Sequence, residues 1–342
     1  MSLNLKQNDN MKPFYGEKKG WNIFLEILLF VGIFFLCSFG QMLVLMPVEL
    51  VMLFQDPAYL TAIQTGDVTA AAEAGMNLVS KDSFMAVSLI SDIIMILIVF
   101  GMCALIQKRS PRKLGFTKGN FLKEYGIGLV VGFVLFTVAV LIAFVTGSLT
   151  FSFAGGGAIL ILFAVGFMIQ GMAEEVLCRG YLMCSVARKY PLWVAVLTNS
   201  VVFAALHLLN AGIAPLAFVN LILFGIFASI YFVRRGNIWG IGAVHSVWNF
   251  VQGNFYGIQV SGNGVMPSVF SCTFNESKGV INGGAFGLEG GIAVTIVLFA
   301  GILLMYFEPW KKNAQVPEAE SATVPVVENT EVPVETSVEE NV

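Results

Sequence analysis

Charged residues are scarce in this sequence. Asp, Glu, Lys and Arg together account for 12% of its 342 residues, whereas soluble domains carry about 25%. Hydrophobic residues account for 57%, and they are gathered into continuous apolar runs. Several of these runs are close to the roughly 20 residues that a helix needs to cross a bilayer. The composition therefore excludes an ordinary soluble domain and predicts a polytopic membrane protein.

Patterns for structural metal sites and for nucleic-acid binding are also lacking. The five cysteines form no Cys-x-x-Cys pair and lie mostly in apolar runs, as small hydrophobic side chains do. The net charge of −3 comes from segment 313–342, which has seven Glu and no Lys or Arg. The rest of the chain carries 19 basic and 15 acidic residues without a basic patch, so we expect no nucleic-acid partner.

The apolar runs predict an all-α fold, a membrane bundle of about eight transmembrane helices. Helices and closed barrels are the structures that satisfy the backbone in lipid, and the runs lack the alternation of barrel strands. The predicted spans are 22–46, 84–107, 125–147, 158–182, 192–209, 214–233, 238–256 and 290–308.

The basic residues predict the orientation of these spans. In an eight-span arrangement, 16 of the 19 Lys and Arg residues fall on one side, Lys81 and Lys278 fall on the other, and Arg179 lies within a helix. Cytoplasmic loops are enriched in Lys and Arg, so this split predicts a multi-pass cell-membrane protein with both termini in the cytoplasm. The segments 47–83 and 257–289 are then outer loops.

The organisation along the chain follows from these assignments. Residues 1–20 form a polar cytoplasmic segment, and residues 21–310 form the membrane domain. Segment 313–342 repeats Val-Pro among Glu, Ser and Thr, which predicts a disordered acidic tail. Within the third span, Gly128 and Gly132 are one helical turn apart and would allow a neighbouring helix to approach closely.

Ionisable residues inside a membrane are costly and are functional candidates by default. The fourth predicted span contains Glu174, Glu175 and Arg179. Glu175 and Arg179 are one turn apart, with the acid first, which favours an ion pair. Glu174 points about 100° away from Glu175 and would remain free to act. The alternative is a buried ion pair that only stabilises helix packing.

The sequence contains only two histidines, and both lie in predicted spans. His207 ends the pattern Phe203-x-x-x-His207, which places the Phe203 ring on the same helix face. His245 begins the pattern His245-x-x-x-Asn249, which places an imidazole and a carboxamide on one face. Together with the glutamates these groups suit hydrolysis, because a carboxylate and an imidazole can activate water while donors stabilise an oxyanion.

In order along the chain, Glu-Glu-x-x-x-Arg, Phe-x-x-x-His and His-x-x-x-Asn resemble the motifs of the CAAX protease and bacteriocin-processing family, also called the Abi family. This family of intramembrane endopeptidases includes the type II CAAX prenyl protease. The resemblance covers residues 158–250, which would form the catalytic core of the membrane domain. It implies a hydrolase acting on a peptide or protein in the bilayer.

The resemblance also implies a role for each residue of the motifs. Glu174 corresponds to the general base that activates water, and His207 to its partner in positioning that water. His245 and Asn249 correspond to the pair that stabilises the oxyanion. The implied supporting residues are Glu175, Arg179 and Phe203.

Metal dependence is a second reading of the same residues. Glu174, His207 and His245 could supply a zinc site with an open fourth position. The sequence contains no His-Glu-x-x-His pattern, and Asn249 suits an oxyanion role better than a ligand role. We therefore expect no cofactor and treat zinc as the alternative.

Other polar residues of the spans have bland explanations or subsidiary roles. Glu26 lies near the end of the first span and could reach the interface. Asp92 lies deeper in the second span without an obvious partner. Gln170, one turn before Glu174, and Asn199, two turns before His207, are candidates to line a cavity.

The predicted function is hydrolysis of a peptide bond in a membrane-associated, CAAX-type or leader-type substrate by water that Glu and His activate. Two alternatives belong to other classes. A proton-coupled transporter could use Asp92, the glutamates and the histidines as a relay, although transporters often show internal repeats and this sequence shows none. The second alternative is an inactive immunity or scaffold protein with the same fold. The sequence makes no prediction about the oligomeric state.

Overall fold

Helices dominate the fold, as the sequence predicts. The computed structural model describes Phe14 and residues 19–307. The predicted tail 313–342 and most of segment 1–20 lie outside the described residues. In chain order the helices are α1 Ile23–Leu53, α2 Pro57–Thr65, α3 Val68–Val79, α4 Asp82–Ser91, α5 Ile93–Met102, α6 Phe121–Val145, α7 Leu160–Glu175, α8 Cys184–Ala187, α9 Leu192–Ala205, α10 Pro215–Arg235, α11 Trp239–Phe250, α12 Gly279–Asn282 and α13 Ile292–Phe307.

Helical structure occurs at all eight predicted spans, which confirms the all-α membrane bundle. Within the described residues, five helical stretches are long and apolar enough to cross a membrane. They are Ile23–Leu53, Asp82–Gln107, Phe121–Val145, Leu160–Ala187 and Pro215–Arg235. The remaining three are shorter, because α9 has 14 residues, α13 has 16 and α11 has 12.

Small residues bring the central helices into close contact. A Cβ atom on Gly128 of α6 would lie 2.1 Å from the carbonyl oxygen of Gly240, and one on Gly132 would lie 2.5 Å from that of Val244. The expected close packing at this pair therefore occurs, with α11 as the partner. On the other face of α11, a Cβ on Gly171 of α7 would lie 2.5 Å from the backbone nitrogen of Ser246. Helix α11 is thus held tightly between α6 and α7.

Directly after Glu175 the helix widens into a π-helix, Val176–Met183, whose residues are all buried. Such segments leave α-helical hydrogen bonding and often occur at functional sites. The guanidinium of Arg109 lies against it and donates to the carbonyl oxygens of Gly180 at 2.7 Å and Tyr181 at 3.5 Å. Arg109 is one of the basic residues that predict the cytoplasmic side, and it is fully buried. It therefore also provides hydrogen-bond donors to backbone carbonyl groups of the π-helix.

The two predicted outer loops contain regular structure that the apolar pattern does not reveal. Segment 47–83 includes the end of α1 and the short helices α2 and α3. Segment 257–289 includes strand β2, Phe270–Phe274, which pairs antiparallel with β1, Leu149–Phe153. The register places Leu149 opposite Phe274. Both segments also contribute residues to the cavity described below, including Val79 from the first and Val260 from the second.

The expectation for Glu26 was wrong. Its side chain is fully buried within the protein and does not extend into solvent. One carboxylate oxygen accepts a hydrogen bond from the backbone nitrogen of Trp21 at 3.0 Å and lies 3.7 Å from the guanidinium of Arg188. A buried carboxylate needs such partners, because burial of a charge without them is costly.

Candidate active site

A cavity of about 610 Å³ is lined by residues of α1, α3, α4, α5, α7, α9, α10 and α11 and of the segments between helices. The predicted residues Glu174, His207, His245 and Asn249 all line it, together with the Phe203 side chain. Glu174 and Glu175 form the last turn of α7, and His245 and Asn249 share a face of α11. Glu175 and Arg179 lie behind the cavity wall and are fully buried.

Glu175 and Arg179 form the expected ion pair. The Glu175 Oε1 atom lies 2.8 Å from a terminal guanidinium nitrogen of Arg179, and both side chains are inaccessible to solvent. The same oxygen also lies 2.8 Å from Nδ1 of His245. Glu175 therefore has a second partner that the sequence did not predict, and it joins α7 to α11.

The Arg179 guanidinium is also held by aromatic rings. It lies over the ring of Phe203, 4.7 Å from the centroid, and 6.0 Å from that of Phe224. Its other terminal nitrogen donates to the carbonyl oxygen of Gly225 at 3.4 Å. A cation over an aromatic face is stabilised where water is excluded. Phe203 thus supports the arginine as well as the neighbouring histidine.

His245 lies between the two glutamates. Its Nε2 atom is 3.6 Å from Oε2 of Glu174, while its Nδ1 atom contacts Glu175. The sequence reading assigned His207 as the partner of Glu174 in positioning water, and this role stays a prediction. Among the described side chains, the imidazole that approaches Glu174 is that of His245. The reason is the tight packing of α7 against α11, which brings His245 to the end of α7.

His207 occupies another wall of the cavity. It follows the end of α9 at Ala205 and lies in a turn. Its Nδ1 atom is 2.9 Å from the carbonyl oxygen of Phe203, and the two rings are 4.9 Å apart. A carbonyl oxygen only accepts, so Nδ1 donates, and in the neutral imidazole Nε2 is left as an acceptor.

Gln170 connects the glutamate to the asparagine. Its Nε2 atom donates to Oε1 of Glu174, and its Oε1 atom accepts from Nδ2 of Asn249 at 2.9 Å. Gln170 lines the cavity, as expected from its position one turn before Glu174. The parallel expectation for Asn199 was wrong, because its buried side chain donates to Ser229 at 2.9 Å and does not line the cavity.

The Asp92 carboxylate accepts a hydrogen bond from the side chain of Gln41. It lies at the junction of α4 and α5, in a separate hollow that also includes Ser88. Ser88 lines the main cavity as well, so the two spaces adjoin. The structure thus places Asp92 next to the candidate site but not in it.

The metal reading has no preformed ligand group to support it. Within residues 19–307, no three His, Cys, Asp or Glu side chains are grouped closely enough to hold a metal ion. Glu174, His207 and His245 share a cavity without forming such a group. Hydrolysis without a metal stays a prediction that a chelation experiment tests.

The cavity lining includes residues that the sequence reading did not select, among them Asn210, Ser261 and Glu289. The Glu289 carboxylate accepts three hydrogen bonds, from the Ser261 nitrogen and hydroxyl at 2.8 Å each and from the Trp248 indole at 3.2 Å. Asn210, Ser261 and Glu289 lie in loops and turns outside the apolar runs. The sequence contained one signal for this part of the cavity, the carboxylate of Glu289 directly before the last apolar run.

Glu174, two imidazoles and a carboxamide line one cavity within a membrane helical bundle, and such groups are suited to hydrolysis. Comparison with protein families adds a finding about the family. Residues 156–251 match the family of type II CAAX prenyl endopeptidases described as Rce1-like. This confirms the predicted resemblance to the CAAX protease family, and the matched segment contains every residue of the three motifs. No curated protein and no solved structure gave a significant match.

Proposed function

We propose that Glu174 is the general base of a peptide hydrolysis that this intramembrane endopeptidase carries out at the cavity. The observation that supports this assignment is the contrast between the adjacent glutamates. The Glu174 side chain is 26% exposed and faces the cavity, whereas Glu175 is inaccessible and already paired with a cation. A base must reach the water that it deprotonates, so Glu174 is the suitable carboxylate.

In this mechanism Gln170 orients Glu174 by bonding Oε1, which leaves Oε2 for water. Glu174 takes a proton from the water as its oxygen attacks the carbonyl carbon of the scissile peptide bond. The C–N bond of the tetrahedral intermediate then breaks, and the proton passes from Glu174 to the leaving amine. His207 accepts a hydrogen bond at Nε2 from the other O–H of the water, which stays on the attacking oxygen, and so positions the water for attack.

Asn249 and His245 would stabilise the oxyanion of the intermediate. The Asn249 amide has two N–H groups, and the bond to Gln170 uses one, so the other is available to a substrate oxygen. His245 donates from Nδ1 to Glu175, and it can donate from Nε2 as well only as an imidazolium. The two flanking carboxylates stabilise that charged form. Preorganised donors of this kind are among the largest contributions to acyl-transfer catalysis.

The proposed substrate is a CAAX-type or leader-type peptide segment, because the family match concerns prenyl endopeptidases. The cavity is large enough for several side chains. Much of its wall is apolar, including Phe34, Met85, Leu89 and Met95. Such a wall suits a segment that enters from the bilayer.

The test is cleavage of a fluorogenic peptide panel by purified protein in lipid nanodiscs. The panel holds a prenylated CAAX peptide, the same peptide without the lipid, and a leader peptide. We expect cleavage of at least one member and its loss in Glu174→Gln, which keeps the side-chain size. Glu276→Gln is the matched control, since Glu276 is exposed and does not line the cavity. Wild-type rates in folded Glu174→Gln, or an inert wild type, would contradict the proposal.

A further inference from the structure

His207 depends on tertiary contacts for its position. It lies two residues beyond the end of α9, so the regular helix does not determine where its ring points. Within the turn, the backbone nitrogen of Asn210 donates to the carbonyl oxygen of His207 at 3.0 Å. The side chain of Asn210 then reaches a distant segment, because its Nδ2 atom donates to the carbonyl oxygen of Ser261 at 2.9 Å.

Ser261 is itself held in an unfavourable backbone conformation. Its φ is +49°, in the left-handed region that is unfavourable for a residue with a Cβ. Such a conformation persists where the surroundings impose it. Here Glu289 supplies the constraint, because Oε2 accepts from both the backbone nitrogen and the hydroxyl of Ser261 at 2.8 Å.

Glu289 is in turn fixed to the helix that carries the rest of the site. Its Oε1 atom accepts from the indole nitrogen of Trp248, the residue directly before Asn249 on α11. Its own carbonyl oxygen accepts from Asn220 of α10 at 2.7 Å. The side chain is 9% exposed, so these bonds are formed where little water competes.

We infer that Glu289 is a positioning residue for His207, acting through Ser261 and Asn210. Its carboxylate joins the turn that carries His207 to the helix that carries His245 and Asn249. It thereby sets the separation of the water-positioning imidazole from the oxyanion donors. This inference rests on the proposed function for its effect on turnover, but not for its effect on the His207 ring.

Because the sequence contains only two histidines, NMR signals from their imidazole rings report directly on the position of His207. In protein labelled with ¹³C and ¹⁵N at histidine, the imidazole signals belong to His207 and His245 and are assigned with His207→Gln and His245→Gln. Glu289→Gln replaces one of the two acceptor oxygens by an NH2 group, so either the Ser261 donors or the Trp248 indole lose their acceptor and the connection is interrupted. We expect the His207 signals to shift or broaden while those of His245 stay in place.

Turnover and a second variant complete the test. Small displacements of catalytic groups cost up to about 100-fold in rate, so kcat should fall about 10-fold to 100-fold with KM nearly unchanged. Asn210→Ala interrupts the same connection and should act alike, and the double variant Glu289→Gln/Asn210→Ala should be no worse than the more impaired single variant. Glu124→Gln is the matched control, because it removes a carboxylate that pairs with Arg235 at 2.7 Å.

An unchanged His207 spectrum in Glu289→Gln, or losses that multiply in the double variant, would overturn the inference. Should Glu289→Gln fail to fold, Asn210→Ala carries the same decision, since it leaves the carboxylate in place. A wild type that cleaves no peptide would count against the proposed function. The histidine spectra would still decide whether Glu289 positions His207.

Discussion

Substitution by glutamine should have different effects at the two adjacent glutamates. It should reduce stability at Glu175 and abolish turnover at Glu174. Glu175→Gln removes the charge that neutralises Arg179, while both side chains are inaccessible. Breaking a buried ion pair costs about 3–5 kcal/mol, because the remaining charge is left uncompensated. The Phe203 ring, 4.7 Å from the guanidinium, offsets part of this cost. We therefore expect Glu175→Gln to lower the free energy of unfolding by about 3 kcal/mol.

Glu174→Gln should be nearly neutral for stability. The side chain is 26% exposed, and a glutamine can still accept the hydrogen bond from Gln170. A change in one hydrogen bond of this kind is worth about 1 kcal/mol or less. Its effect should instead be the loss of turnover, since an amide cannot take a proton from water.

The assay is reversible unfolding in mixed micelles, with the peptidase rate measured on the same preparations. The double variant Glu175→Gln/Arg179→Met should regain part of the lost stability, because no unpaired charge remains. It should stay slow, because His245 has lost its charged partner. The reasoning would be refuted if Glu174→Gln lost the larger share of stability, or if Glu175→Gln unfolded at the wild-type free energy.

Three other predictions concern packing, topology and metal. Gly128→Ala should lower the free energy of unfolding by about 1–3 kcal/mol, because its Cβ would meet the Gly240 carbonyl oxygen at 2.1 Å. Gly126→Ala is the control and should leave stability unchanged, because a Cβ there would have no neighbouring atom within 4 Å. Reporter fusions at Lys312 and within 257–289 should lie on opposite sides of the membrane, and the same side for both would contradict the charge-based topology. Purified protein should retain activity after dialysis against a strong chelator, whereas activity that chelation abolishes and zinc restores would favour the metal reading.

Contacts within one helix could be predicted from the sequence. The spacing of Glu175 and Arg179 brings them together because residues four apart share a helix face, even though the segment beyond Glu175 is a π-helix. The positions of the eight helices were predictable for a similar reason. In lipid the backbone must satisfy its own hydrogen bonds, so a long apolar run has essentially one regular structure available.

Contacts between helices depended on the tertiary structure. The sequence placed two imidazoles near two glutamates, but it did not determine that His245, and not His207, would approach Glu174 at 3.6 Å. That choice depends on the depth and rotation at which α11 meets α7, which close packing at Gly171 sets. The bonds of Glu289 to Ser261 and Trp248 are of the same kind. Helical periodicity relates residues one turn apart, whereas pairs 28 to 71 positions apart meet only where packed backbones bring them together.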